Sequence, residues 1–289
     1  MLPCLINVVK EYTMLDKSLP ELVIGIKGAG EMGSAIAWRL YMANFRNIFM
    51  MEAPYPLAVR RRVAFCEAIH DGTQTVENVT AVLTENADQV FTVWQARQIP
   101  VLVDPQWTMI SRLEPDVVID AILAKKNLGT HMGEARLVIG LGPGFSAGED
   151  VHLVIETNRG HDLGRIITRG PATPNTGMPG NIGGYTGQRI LRAPAAGRFV
   201  CLRDIGDPVK AGDIVGMVEK TTARVEIDGV LRGLIRTGTQ VSKGLKLGDI
   251  DPRGDTAYCH TISDKARAIG GSVLEAVLRT FMAHHYLKR

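Results

Sequence analysis

Three glycines in the run GAGEMG, Gly28, Gly30 and Gly33, hold the GxGxxG spacing. They follow the continuous apolar run ELVIGIK (21–27) and open a segment of helical period that reaches Ala43. At such a strand-to-helix turn, glycines permit the tight reversal and let a pyrophosphate approach backbone N–H groups at a helix N-terminus. Glu52 ends the next apolar run, where an acidic side chain would hold a ribose hydroxyl. The same glycines also suit plain helix–strand packing, and Glu31 sets a negative charge beside the phosphate position. Arg60–Arg62 would offer a 2′-phosphate site or else form a solvated helix face, so NAD and NADP both stay open.

A second glycine-rich loop, GLGPGFSAGED, follows another apolar run, and the amides around Gly142, Gly144 and Ser146 could cradle an anion. No GK[ST] signature is present, so it is not a P-loop. Asp104 and Asp120 end two further strands, with Lys125 and Lys126 close behind Asp120. A carboxylate facing an ammonium group can transfer protons, whereas a turn-former and a helix cap would do no chemistry. Glu156, Arg159, His161 and Asp162 crowd one turn. Cys259 precedes Ser263, a helix N-cap, by four residues; a thiol near a helix N-terminus acquires a lowered pKa, and the alternative is a buried structural cysteine. The candidates for catalysis are therefore Asp120, Lys125 and Cys259, and whether any reaction is catalysed stays open. The histidines lack metal-ligand spacing, and no metal is expected.

The elements that must position these residues read as α/β. From Glu21 to about Arg169, short apolar runs (NIFMMEA, TVENVTAV, IPVLVDP, DVVIDAI, RLVIGLG, VHLVIET) alternate with helical segments, one opening at Pro56 and carrying the three arginines, another over 86–98. This alternation predicts a Rossmann-like, mostly parallel sheet with right-handed crossovers. The stretch 169–187, rich in Gly, Pro and Asn, is a boundary or a long functional loop.

Beyond it the chain repeats with a period of 32 residues: Gly197 falls on Gly229, Phe199 on Leu231, Val209 on Val241, Gly212 on Gly244 and Val218 on Ile250. Two short β units of this kind interlock into a small two-fold sandwich, because neither half buries enough apolar surface alone. In the tail, Ala266, Ile269, Val273, Val277 and Phe281 form one helical stripe interrupted by Gly270-Gly271, which cost about 1 kcal/mol each against Ala and imply close packing on the first domain. The organisation expected is an extension over 1–20, disordered, a Rossmann-like domain over 21–168, a connecting loop over 169–188, an all-β module over 189–252 and a C-terminal helix within 253–289.

Among 289 residues, a net charge of +3 with interleaved signs gives no case for nucleic acid. Four scattered cysteines without a CxxC pair exclude a disulfide framework and fit a reducing cytoplasm. No apolar run approaches the roughly 18–20 residues that span a bilayer.

The stretches IKGAGEMGSAIAWRLYMANF, PDVVIDAILAKKNLGT, VIGLGPGFSAGEDVH, PNTGMPGNIGGY and DIDPRGDTAYCHTISDKARAIGGSVLEAVL resemble the YqeB family, described as accessory proteins of selenium-dependent molybdenum hydroxylases. The resemblance runs from about Glu21 to Leu278 and implies a cytoplasmic maturation factor for a xanthine- or purine-type hydroxylase. Its implied partners are that enzyme or other maturation proteins, and its implied ligand is a small phosphorylated one, NAD(P) or a molybdopterin-type nucleotide. It carries no catalytic residue over. Two other functions are compatible with the residues: an NAD(P)-dependent oxidoreductase, on GxGxxG and Glu52 alone, and a non-catalytic chaperone of the apo-hydroxylase. The repeat resembles the biotinyl/lipoyl barrel-sandwich hybrid. Aligning Glu219 with the acidic residue before that module's Met-Lys-Met places the modified lysine at Thr222, and neither methionine is present. Lys220 then reads as an ordinary exposed lysine, and no covalent biotin or lipoate is expected.

Overall fold

Short runs of two to six residues, mostly apolar, build a nine-stranded sheet in the computed structural model, which describes residues 17–286 except 176 and 178 and gives side chains in the last helix as far as Met282. The strands are Val23–Lys27 (β1), Asn47–Glu52 (β2), Thr73–Val76 (β3), Val79–Thr84 (β4), Ile99–Val103 (β5), Val117–Asp120 (β6), Leu137–Leu141 (β7), Leu153–Ile155 (β9) and Ile166–Ile167 (β10). Their order is β10-β9-β7-β6-β1-β2-β5-β4-β3, parallel except for the edge strands β3 and β10. Ser146–Ala147 (β8) pairs with Gly170–Pro171 (β11) beside it. Helices Glu31–Met42 (α1), Ala68–Asp71 (α2), Ala87–Gln95 (α3) and Thr108–Leu113 (α4) form the crossovers. The central strands are buried along almost their whole length, as strands covered on both faces must be.

Two readings of this region are corrected. TVENVTAV is a hairpin, not one strand: Glu77 and Asn78 both adopt positive φ and turn β3 into β4. No α-helix opens at Pro56; two 3₁₀ turns, Arg61–Val63 and Phe65–Glu67, lead into the short α2. The arginines there are drawn to tertiary partners, which override helical propensity. Arg60 donates to Glu31 and to the carbonyls of Tyr258 and Thr261, Arg61 donates to the carbonyl of Leu234, and Arg62 pairs with Asp204. These bonds fasten the parallel-sheet unit to the rest of the chain.

The repeat becomes eight strands: Ile190–Arg192 (β12), Gly197–Cys201 (β13), Pro208–Val209 (β14), Ile214–Val218 (β15), Thr221–Arg224 (β16), Gly229–Leu234 (β17), Gln240–Val241 (β18) and Lys246–Asp251 (β19). They form two four-stranded antiparallel sheets, β12-β19-β17-β14 and β16-β15-β13-β18. Each sheet takes two strands from each half of the repeat, so the halves are interlocked. Phe199, Val215, Val218, Leu231, Leu247 and Ile250 fill the space between them.

The final helix, Asp264–Tyr286 (α5), lies along α1. Val273 and Val277 enter the same core as Ile26 and Leu40. A Cβ at Gly270 would lie 3.2 Å from the carbonyl oxygen of Ala35, so this glycine lets the two helix backbones approach; one at Gly271 meets nothing. Ser263 accepts from the Ala266 N–H as N-cap. The extension expected over 1–20 lies outside the described residues up to 16; from there Lys17 pairs with Asp116 at 2.8 Å, and Ser18 and Glu21 form a capping box. Among the described residues no helix is long and apolar enough to cross a membrane.

Candidate functional site

The strand order reverses between β1 and β6, and the crevice beyond the carboxyl ends of strands at such a point is where open α/β sheets bind ligands. A cavity of about 840 Å³ lies there. Its walls are residues 30–32, the 57–60 segment, 121–125 after β6, Pro143, 157–159 after β9, residues 173–175, 177 and 179–182, strands β12, β17 and β19 of the antiparallel unit, and the start of α5.

The three glycines of GAGEMG do different work. Gly28 has φ +88°, and a Cβ there would lie 3.1 Å from the Ile122 backbone. A Cβ at Gly33 would overlap the carbonyl oxygen of Gly28, so this position seats α1 on the turn. Gly30, the N-cap of α1, faces open space at the cavity wall. Glu52 is not at the cavity. Its Oε2 accepts from Ala29 N–H at 2.8 Å and its Oε1 from Ala53 N–H at 2.7 Å, so both oxygens brace the turn. Burial raises its pKa against those two bonds. Glu31 accepts from Arg60 Nη1 at 2.8 Å and from Ser263 Oγ at 2.9 Å, so its charge is answered within the protein.

Asp120 is buried and accepts from Thr130 Oγ1 at 2.7 Å and from Ile122 N–H at 3.1 Å. Thr130 in turn accepts from the buried Lys27, which also pairs with Glu134 at 2.7 Å. Burial raises the Asp120 pKa, and its bonds hold the 121–125 wall. Lys125 lines the cavity at φ +63° and makes no hydrogen bond to Asp120. Asp104 caps α4 by accepting from Thr108 Oγ1 and Met109 N–H.

In the second glycine loop only Pro143 reaches the cavity. Gly142 packs on Thr157, and a Cβ at Gly144 would lie 2.6 Å from the Lys126 nitrogen, so both glycines serve close packing. Ser146 donates its N–H to Asp150 and begins β8, away from the cavity. Of the two readings of Cys259 the structure takes the buried structural cysteine: it is fully buried, and burial raises its thiol pKa, so the reactive-thiol alternative falls.

Of the 156–162 turn, Arg159 lines the cavity and donates to Asp264 from Nη1 and Nη2, at 2.6 and 2.8 Å. Glu156 accepts from Asn158 N–H at 2.7 Å and Thr173 N–H at 2.8 Å, joining the two loops that border the cavity. Burial opposes these bonds, yet they hold its pKa below the ordinary value. Asp162 pairs, among the described residues, only with exposed Arg165.

The strongest feature of the cavity is its charge. Arg60, Lys125, Arg159, Arg189, Arg192, Arg232, Lys246 and Lys265 line it, against Glu31 and Asp249. The basic residues from the repeat and α5 were not among the sequence candidates. Asp249 is buried and binds both Arg189 and Arg232; Asp251 binds Arg232 at 3.2 Å and Arg253 at 2.6 Å. Lys246 keeps 40% of its side chain accessible because it faces the cavity, though protein surrounds it. Burial lowers its pKa despite Asp249, and burial likewise lowers that of Lys265 despite Glu31, with Arg159 adding to the fall. Arg60 is 4% exposed, and its Nε has no hydrogen-bond partner among the described residues. Among those residues no cluster of His, Cys, Asp and Glu could hold a metal ion.

The β15–β16 hairpin turns at Glu219-Lys220, since Val218 pairs with Thr221. Lys220 thus occupies the tip, and Thr222, the position aligned with a modified lysine, pairs with Met217 inside the strand.

No known protein-family profile matches the chain. Among solved structures, it is similar to a succinylglutamate desuccinylase/aspartoacylase of Rhodobacter sphaeroides (18% identity, 22% of each chain, TM-score 0.20). It is also similar to an aspartoacylase family protein of Mesorhizobium loti (10% identity, 70% of this chain and 56% of that one, TM-score 0.23). Among curated proteins, it is 48% identical over 258 residues to the uncharacterized protein YqeB of Escherichia coli K12, covering 89% of this chain and 47% of that protein. The chain therefore spans about half the length of this curated relative. That similarity runs through both the parallel-sheet unit and the antiparallel unit.

Proposed function

We propose that the protein binds a nucleotide or another phosphorylated cofactor in the cavity, through a Rossmann-like unit, and serves as a cytoplasmic maturation factor for a selenium-dependent molybdenum hydroxylase. The observation that carries the ligand part is the basic cavity at the sheet's switch point, with Gly30 open at the N-terminus of α1 and eight basic residues against two acidic ones. Backbone amides at a helix N-terminus together with Arg and Lys are the ordinary means of holding phosphate. Gly30, Arg60 and Lys265 would contact it. The maturation role rests on the resemblance to YqeB-type accessory proteins, and the implied partner is the hydroxylase or another maturation protein. In this reading the interlocked antiparallel sheets are a barrel-sandwich hybrid that acts as a platform and carries no biotin or lipoate on Lys220. Isothermal titration of the protein with NAD(P), ATP and molybdopterin nucleotides tests the ligand: saturable binding of one is expected, and binding of none removes this part. Co-purification with a hydroxylase subunit, abolished by deleting 189–252, tests the platform.

A further inference from the structure

We propose that the cavity takes a ligand bearing two linked phosphate groups, one held by the parallel-sheet unit with α5 and the other by the antiparallel unit, so that the ligand bridges the two. The proposal rests on the phosphorylated-ligand reading and specifies it further.

The cations divide into spent and unspent. Arg159 is committed to Asp264, and Arg189 and Arg232 are committed to Asp249. Lys125, Arg192 and Lys265 line the cavity with no carboxylate partner among the described residues. Arg60 adds a buried Nε–H without an acceptor, a group that native proteins seldom leave unpaired. Lys246 has Asp249 at 3.6 Å, which it shares with Arg189 and Arg232, and burial holds both Lys246 and Lys265 below the ordinary lysine range. An anion supplied from outside answers all of these groups together.

Their placement sets how many anions. Gly30, Arg60 and Lys125 belong to the parallel-sheet unit and Lys265 to α5, whereas Arg192 is on β12 and Lys246 on β19. A cavity of about 840 Å³ is in the upper part of the range for ligand pockets, about 300–1,000 Å³, and is larger than one phosphate needs. No Phe, Tyr or Trp stands among the described residues that line it, so recognition falls on charge and not on stacking of a base.

The test is calorimetric titration of the full chain at one low salt concentration, with orthophosphate, pyrophosphate, AMP and ADP as probes. Pyrophosphate and ADP are expected to bind at least tenfold more tightly than orthophosphate and AMP. Arg192→Ala is expected to weaken pyrophosphate at least tenfold while changing orthophosphate less than threefold, and Lys265→Ala to weaken both, with Lys265→Arg restoring binding. Arg192 is exposed, so its variant keeps the wild-type melting temperature. Equal affinity for one- and two-phosphate probes, or an Arg192→Ala protein that binds pyrophosphate normally, overturns the bridging. If AMP still binds in that case, the phosphorylated-ligand reading stands without it. If no probe binds, both fall.

Discussion

Two glycines three residues apart give opposite expectations for the same substitution. A Cβ at Gly33 would lie 3.1 Å from the carbonyl carbon of Gly28, nearer still to its oxygen, and 3.4 Å from the Ala121 Cβ. The obstacle is backbone, so α1 must lift off its turn. Overpacking of this kind costs about 1–3 kcal/mol, and the intrinsic gain of Ala over Gly in a helix, about 1 kcal/mol, offsets part of it. At Gly30 the φ of −70° suits any residue and nothing lies within 4 Å of a Cβ. Losing glycine at the N-cap costs about 1 kcal/mol or less, but the new methyl stands at the cavity wall where an anion would meet the helix. Gly33→Ala should therefore lower the urea midpoint and drop the melting temperature by several degrees, at about 2–4 °C per kcal/mol. Gly30→Ala should melt near wild type yet bind phosphorylated probes more weakly. The assay is paired urea titration and calorimetric titration of both variants. Equal stability of the two variants would refute the division of roles among the glycines.

Three further outcomes follow from the charges. Asp249→Asn leaves Arg189 without a counter-charge and Arg232 with Asp251 alone, in a buried place, and should cost about 3–5 kcal/mol in urea unfolding, whereas Asp162→Asn, in an exposed pair, should cost less than about 0.5 kcal/mol. Burial acts against ionisation of Asp249 and Asp251, yet the cations around them win and hold both carboxyls below their ordinary value. Their folded pKa values are depressed, so the stability they contribute is present above about pH 3.8 and is lost as pH falls through the lower folded values. The fall in melting temperature below about pH 4 should be shallower in Asp251→Asn. Lys265 follows the same pH slope but with an opposite effect at neutral pH: burial disfavours its charged form, so the ammonium destabilises the folded state, and that penalty is relieved as pH rises from its lowered value towards 10.5. Lys265→Met should accordingly raise the melting temperature of the ligand-free protein at pH 7 by an amount that vanishes by about pH 10.5.

The glycine turn, the alternating elements and the 32-residue repeat were legible because each leaves a local or periodic mark on the sequence. Glu52 shows where that reading stops. Its spacing was right for a strand end after GxGxxG, but spacing does not say that the carboxylate turns back onto Ala29 N–H instead of facing a ligand. Cys259 was placed near a helix N-terminus, and only the packing of the antiparallel unit around it shows that the thiol is sealed off. The basic wall was missed because its members come from β12, β17, β19 and α5, which meet only after the two units dock. A signal was available nonetheless. Shifting by 32 residues sets Arg232 on Val200 and Asp249 on Met217, so the second half of the repeat carries charge where the first half carries apolar side chains.

That departure explains how a near-symmetric module acquires one functional face. In the β16-β15-β13-β18 sheet, Val200 of β13 stays 45% exposed, and Leu202 just past its end 55%, with their side chains turned to solvent. In the β12-β19-β17-β14 sheet, the equivalent surface lies against the parallel-sheet unit: Gly233 of β17 is so close to the 57–60 segment that a Cβ would stand 2.8 Å from the carbonyl oxygen of Val59. Apolar residues at 232 and 249 would have made this junction a plain core. Instead Asp249 satisfies Arg189 and Arg232, while Arg192 and Lys246 remain turned towards the cavity. A buried ion network is weak support for stability, because desolvation consumes most of the attraction. Its retention at the one face that meets the glycine turn is therefore explained by what it borders: it holds a basic wall in place opposite the N-terminus of α1, at the spot where the sheet's strand order reverses.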